Sequence, residues 1–284
     1  EWVTFFKDAG FKGMVLNAKH HDGFCLWSSE HTKYSVNSAT DWDTEERDIV
    51  KMLAEECRKQ GLKFGIAISP LDRHSKYYGT GDEYNEFFKK LLREVLTKYG
   101  EMFYVRFDGT AEPGKNGLVQ EYDWQGYFDI VRECQPNAVI AFVGPDVRWY
   151  GNEFGVIREN EWSVVPERYS IYNAINGSEE KSRKLRRKSE KFELDIGSRK
   201  AIKKDEKFIW YPCEVCVSMH DRWFYHKDDE YTVYKLFDVA GFSPDGEWTV
   251  TLTGDNVPEG AEIVRQGGVI AVSVPPRGLI FIVR

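Results

Sequence analysis

The chain has 284 residues, enough for one barrel-sized domain with a small appendage or for two ordinary domains. Its net charge is −7, and it has no basic stripe of the kind a polyanion requires, so nucleic acid is not expected as a partner. No run of about 18 apolar residues occurs, so no membrane span is expected.

Residues 1–9 place Trp2, Phe5, Phe6 and Ala9 on one helical face, and Gly10 stops that helix. Met14 to Leu16 reads as a strand, followed by Lys19, His20, His21 and Asp22. A second helix is predicted from an N-cap at Asp43, with Glu46 completing a capping box, to about Gln60 and Gly61. The strand Phe64 to Ser69 then leads to Asp72 and Arg73. The clearest helix carries Tyr84, Phe87, Phe88, Leu91, Leu92, Val95, Leu96 and Tyr99 at i, i+3, i+4, i+7 spacing and closes at Gly100. Phe103 to Phe107 reads as a strand that ends at Asp108. A fourth helix buries Trp124, Tyr127, Phe128 and Val131, and the strand Val139 to Val143 leads to Asp146, Arg148 and Glu153.

Apolar strands alternating with helices imply a parallel sheet covered on both faces. Ionisable residues follow every strand, and in a (β/α) barrel all those ends share one rim. A doubly wound sheet would also put its site at strand ends, but no G-x-G-x-x-G loop follows any strand. The expected fold is α/β: a (β/α)8-like TIM barrel, incomplete here, over residues 1–230. A small C-terminal antiparallel β-sandwich-like domain over 231–284 follows. Phe208 to Val217 reads as one further strand with Glu214 inside it. After Tyr231 come short alternating runs such as 247–252 and 268–274, broken by Pro-Asp-Gly and Pro-Pro-Arg-Gly.

Aromatic residues make up 15% of the chain, which suits sugar binding because pyranose C–H faces pack on rings; a large aromatic core explains it equally well. The cluster Lys181 to Lys191 sits among Ser and Glu and reads as a solvated loop. The 5 cysteines are scattered, and the C-x-x-C pair Cys213 and Cys216 has no second pair, so free thiols are expected rather than zinc or disulfides. Glu1-Trp2-Val3 opens inside a helical pattern without an initiator Met, so the chain is expected to begin within a longer parent, and the missing leader does not indicate a compartment.

Asp108 follows a buried strand and precedes Gly109; it reads equally as a nucleophile at a barrel rim or as a turn Asp. The adjacent His20 and His21 could bind metal, though no second ligand cluster with suitable spacing exists, or donate to substrate hydroxyls.

The run Lys19-His20-His21-Asp22-Gly23-Phe24-Cys25-Leu26-Trp27 resembles a signature of glycoside hydrolase family 29, the α-L-fucosidases. Arg47 to Val50, Ser69 to Arg73, and Phe107-Asp108-Gly109 are similar to later motifs of that family, in the same order. Gly144 to Trp149 with Gly151-Asn152-Glu153, and Trp210-Tyr211-Pro212 with Trp223 to His226, resemble the α-1,3/1,4-specific subgroup. The resemblance spans roughly residues 1–228. It implies a retaining exo-hydrolase in which Asp108 attacks the anomeric carbon and Glu153 serves as acid/base, with Glu159 and Glu161 as rivals for the second role. It further implies that His20 and His21 hold fucose hydroxyls, that Arg148 reinforces the site, and that Trp27 and Trp223 form apolar walls. No metal or organic cofactor is required, the partner is a fucosylated oligosaccharide or glycoconjugate, and a full-length parent is expected to be periplasmic or secreted. The chain departs from the family at Ala67, Leu71 and Arg106, where family members carry aromatic residues. Those losses keep two alternatives open: a degenerate relative that binds fucosylated glycans without cleaving them, or a barrel glycosidase for another sugar.

Overall fold

The computed structural model describes residues 1–39, 48–108, 112–150, 161–172 and 196–216, together with short strands at 234–235, 262–266 and 269–273. The chain divides into two compact units: 1–4 with 12–148, and 5–11 with 149–284.

The first unit holds a parallel sheet. Its strands are β1 (Gly13–Lys19), β2 (Lys63–Ile68), β3 (Tyr104–Phe107), β4 (Val139–Phe142) and β5 (Val147–Trp149), whose last residue belongs to the second unit. Neighbours pair in chain order, all parallel, with registers such as Leu16↔Ile66, Ile66↔Val105 and Val105↔Ile140. Among the described strands the order never reverses, as in a (β/α) barrel and unlike a doubly wound sheet with its switch point.

Helices α1 (Trp2–Asp8), α2 (Ile49–Gln60), α3 (Asp82–Lys98) and α4 (Trp124–Cys134) precede β1, β2, β3 and β4. Helix α3 buries Tyr84, Phe88, Leu91, Leu92, Val95 and Leu96, the stripe its periodicity predicts. It meets α4 through an edge-on contact of Phe88 and Tyr127, centroids 4.8 Å apart. The Tyr127 hydroxyl donates to Asn85 Oδ1 at 2.6 Å, so this polar tip in the interface has a partner. Phe107, at the end of β3, lies among Trp124, Tyr127 and Phe128 of α4.

Three expectations need correction. In α1, burial falls on Val3, with Ala9 buried just after the helix, while Trp2 is 71% exposed, so the buried stripe is rotated toward Val3. Helix α2 is capped by Asp48, whose carboxylate accepts from Lys51 N; Asp43 and Glu46 lie outside the described residues. The run 208–217 is not one strand. β7 (Phe208–Trp210) pairs antiparallel with β6 (Val164–Pro166), and β8 (Cys213–Glu214) lies beside β5 instead. Pro212 lies between them and has no N–H to continue a ladder.

In the second unit, Tyr150 N–H donates to the Glu214 carbonyl, and the Arg199 guanidinium lies 4.6 Å from the Trp162 ring centroid. Strands β9 (Tyr234–Lys235), β10 (Glu262–Gln266) and β11 (Val269–Ser273) form an antiparallel sheet in the order β10-β11-β9. All 5 cysteines are free. Among the described residues no helix is long and apolar enough to cross a membrane.

Asp48 does more than cap α2. Its second oxygen accepts from Ser28 N at 3.1 Å and from the Tyr99 hydroxyl at 2.6 Å. Asp48→Ala is therefore expected to cost about 2 kcal/mol in urea unfolding, because three donors lose a charged acceptor together. A loss of only a few tenths would show that water replaces the carboxylate freely.

Candidate functional site

The site sits where β1, β2 and β3 end. Its frame is a buried ion pair. Lys19, the last residue of β1, is wholly buried, and its ammonium lies 3.4 Å from Asp72 Oδ2. It also donates to the carbonyls of Ser69 at 2.8 Å and Leu71 at 3.3 Å. All these oxygens come from the turn after β2, so one desolvated cation fastens the β1 loop to the β2 loop. Asp72 Oδ1 in turn accepts from the His74 and Ser75 amides at 2.9 and 2.7 Å. Gly23 lies against this carboxylate, where a Cβ would come 2.3 Å from Asp72 Oδ1, and its φ of +88° also favours glycine.

His20 and His21 follow Lys19, with their rings 4.0 Å apart. His21 Nδ1 is 2.6 Å from Ser69 Oγ. That hydroxyl accepts from Leu71 N at 3.1 Å, and we assign its proton to the shorter imidazole contact, which leaves His21 Nε2–H free to donate. Burial, followed by the neighbouring His20, pushes the His21 pKa below its ordinary value, which favours the neutral ring. His20 Nε2 lies 3.5 Å from Asp108 Oδ2.

Asp108 directly follows β3, and its amide donates to the Ile68 carbonyl at 3.2 Å. Arg106 Nη1 also lies 3.5 Å from Asp108 Oδ2. Burial opposes the charged form of Asp108, but the His20 hydrogen bond and the Arg106 charge outweigh it and hold the carboxyl below its ordinary pKa. It is therefore ionised at neutral pH. Donor atoms of His20, His21 and Asp108 lie within 4.8 Å of one another. A cation there would meet the Arg106 guanidinium beside Asp108, so the group fits a neutral polar ligand better than a resident metal.

The structure thus brings together His20, His21 and Asp108. Arg148 is 5% exposed on β5, level with Phe142 of β4. Trp27 has no exposed surface to offer a sugar; its indole N–H donates to Glu94 Oε2 at 2.8 Å. Glu94 also accepts from Ser29 Oγ, Glu30 N and Lys98 Nζ at 2.7 to 2.9 Å. Trp27 therefore braces the β1 loop against α3. Glu161 is half-buried in the second unit, while Glu153, Glu159 and Trp223 lie outside the described residues. The Lys19–Asp72 pair was not singled out from sequence. A lysine closing a mostly apolar strand was its one visible signal.

A family model for α-L-fucosidase matches residues 1–237. The chain belongs to the α-L-fucosidase family. It is 38% identical to α-L-fucosidase 1 of Arabidopsis thaliana over 230 residues, 81% of this chain and 41% of that protein. Among solved structures, a Bacteroides ovatus protein assigned as an α-L-fucosidase matches at 42% identity and TM-score 0.69, over 80% of this chain and 38% of that one. A family 29 fucosidase from Ruminococcus gnavus, in complex with fucose, matches at 27% identity and TM-score 0.62, over 80% of this chain and 46% of that one. The chain spans about two fifths of the length of these relatives.

Two outcomes are expected. Lys19→Met leaves the Asp72 carboxylate buried without its cation and should cost about 3–5 kcal/mol in denaturant unfolding. Pairing it with Asp72→Asn should cost less than the single change, and a larger loss in the double variant would count against the pair. Burial tends to raise the Glu94 pKa, but donors from Lys98, Glu30, Trp27 and Ser29 prevail and depress it. A depressed carboxyl stabilises the fold above its unfolded pKa of about 4.3, and that stability is lost as pH falls through the lower folded value. Glu94→Gln should therefore flatten the acid limb of the stability curve. An identical limb in both proteins would contradict this.

Proposed function

We propose that this chain carries the catalytic barrel of a retaining exo-α-L-fucosidase. The barrel is assigned to residues 1–230 and an appended β domain to 231–284. Membership of the family supports the reaction class. The carrying observation is the Asp108 carboxylate, ionised at a parallel strand end and facing the His20 imidazole.

In this reading Asp108 attacks the anomeric carbon of fucose and forms a covalent fucosyl-enzyme. Glu153, assigned from its Gly-Asn-Glu motif, protonates the departing oxygen and then deprotonates the attacking water. Two displacements retain configuration, and they require carboxyls about 5–5.5 Å apart. His21 Nε2–H and the His20 ring suit sugar hydroxyls, and Arg148 adds positive charge near the pocket. Trp223 supplies an apolar wall, whereas Trp27 supports the histidine loop from behind.

The substrate is a fucosylated oligosaccharide or glycoconjugate. Its linkage is read as α-1,3/1,4 from the similarity of Gly144 to Trp149 and of Trp210 to Pro212 to that subgroup. Leu71 and Ala67, buried where family members carry aromatic rings, favour a second reading: a glycan-binding relative without turnover.

Asp108→Ala should lower fucose release from a Lewis trisaccharide by roughly three to four orders of magnitude, with binding preserved. NMR of the first product should show α-fucose. Initial β-fucose would exclude retention, and wild-type binding without release over days would establish the second reading.

A further inference from the structure

Arg106 lies in β3 and Asp108 directly follows that strand, its amide still bonded to the Ile68 carbonyl, so the pleat places both side chains on the same face. The arginine is largely buried, with its guanidinium over the Phe142 ring, 4.0 Å from the centroid, and Nη1 lies 3.5 Å from Asp108 Oδ2. Phe142 is unusual in itself: it ends β4 opposite Phe107 with a φ of +66°, which a side-chain-bearing residue rarely adopts. The turn after it is pinned. A Cβ at Gly144 would come 2.3 Å from the Ile140 carbonyl oxygen. Asp146 accepts from Ile140 N at 2.8 Å and from Arg132 at 2.5 and 2.6 Å. This turn lets the chain come around within a few residues and run parallel to itself, pairing Ala141 with Val147. Strain held this firmly presents the Phe142 ring to the arginine.

We propose that Arg106, clamped on Phe142, is a positioning residue that holds the Asp108 carboxylate in a fixed direction and keeps a permanent positive charge beside it. The proposal rests on Asp108 being the nucleophile. Several features distinguish this role from that of His20. The imidazole is more exposed than the arginine, and a guanidinium keeps its charge throughout. Stacking on a ring restricts the planar group to sliding and rotating in its plane, which limits where its N–H groups point. At 3.5 Å the contact is long enough to leave the carboxylate lone pairs open to an incoming carbon. Among the described residues, the other titratable or charged groups around this rim are His20 and His21 after β1, the Lys19–Asp72 pair, Arg73 after β2 with its partner Glu112 after β3, and Arg148 on β5. Phe142 from β4 brings no charge.

The test compares wild type, Arg106→Gln and Arg106→Lys. Carbon-13 NMR follows the Asp108 carboxyl, with its resonance identified by loss in Asp108→Asn, and kcat/KM is measured against pH on an aryl fucoside. Arg106→Gln should raise the carboxyl midpoint by about one pH unit and move the acid limb of kcat/KM by the same amount. Arg106→Lys should restore the midpoint but leave kcat reduced, because an ammonium does not stack as the guanidinium does. An unmoved carboxyl midpoint in Arg106→Gln overturns the proposal, even if Asp108→Asn is inactive. A shifted midpoint with an unmoved acid limb and an active Asp108→Asn sustains the clamp and sinks the nucleophile assignment. Should Arg106→Gln fail to fold, Phe142→Leu keeps the apolar volume while removing the ring. Its midpoint should rise part of the way, and no rise again overturns the proposal.

Discussion

The rim of the first unit depends on one desolvated cation. An ammonium with no exposed surface must be met by oxygens, and Lys19 finds them on Ser69, Leu71 and Asp72. Those partners lie within four residues of one another and all follow β2, so the requirement fixes how the β1 loop leaves the sheet. His20 and His21 leave directly from this anchor. The Arg73 amide donates to the His21 carbonyl at 2.8 Å, and Ser69 bonds the His21 ring. One electrostatic demand thus orients both imidazoles.

Two carboxylates in this unit are treated in opposite ways. Glu94 accepts from four donors, each within 2.9 Å, and is a finished structural hub between α3 and the loop carrying Trp27. Asp108 has His20 and Arg106 at 3.5 Å, close enough to favour its charge and too far to occupy its lone pairs tightly. A saturated carboxylate is inert, and a loosely partnered one retains capacity for a ligand. Cys25 is a parallel case: burial pushes its thiol pKa up to about 12, so its place in the histidine motif is a packing role rather than a chemical one.

Much of the architecture was legible in the linear pattern. Helix α3 was readable because its apolar residues recur at the helical period without a break, and burial follows most of that stripe, with Phe87 half-buried and the polar Asn85 and Glu94 buried beside it. Strands β1 to β4 were readable as short apolar runs closed by ionisable residues. Less legible were boundaries and orientations. A capping box at Asp43 and a cap at Asp48 look alike in sequence, and only the hydrogen bond to Lys51 N distinguishes them. The rotation of α1 and the break at Pro212 depended on what each segment packs or pairs with. The same holds for Trp27: a tryptophan near a histidine pair reads as a sugar wall until Glu94, 67 residues away in sequence, is seen to accept its N–H.

By itself the sequence determined the alternation of helix and strand, the parallel character of the sheet, and the motifs that place the chain in its family. These depend on local period and residue type, which a linear string records in full. The tertiary structure decided which charges meet. Lys19 with Asp72, Arg106 with Phe142, and His21 with Ser69 are contacts made across strands. Their energies depend on distances of a few ångströms and on exclusion of water, and neither quantity exists until the strands are side by side.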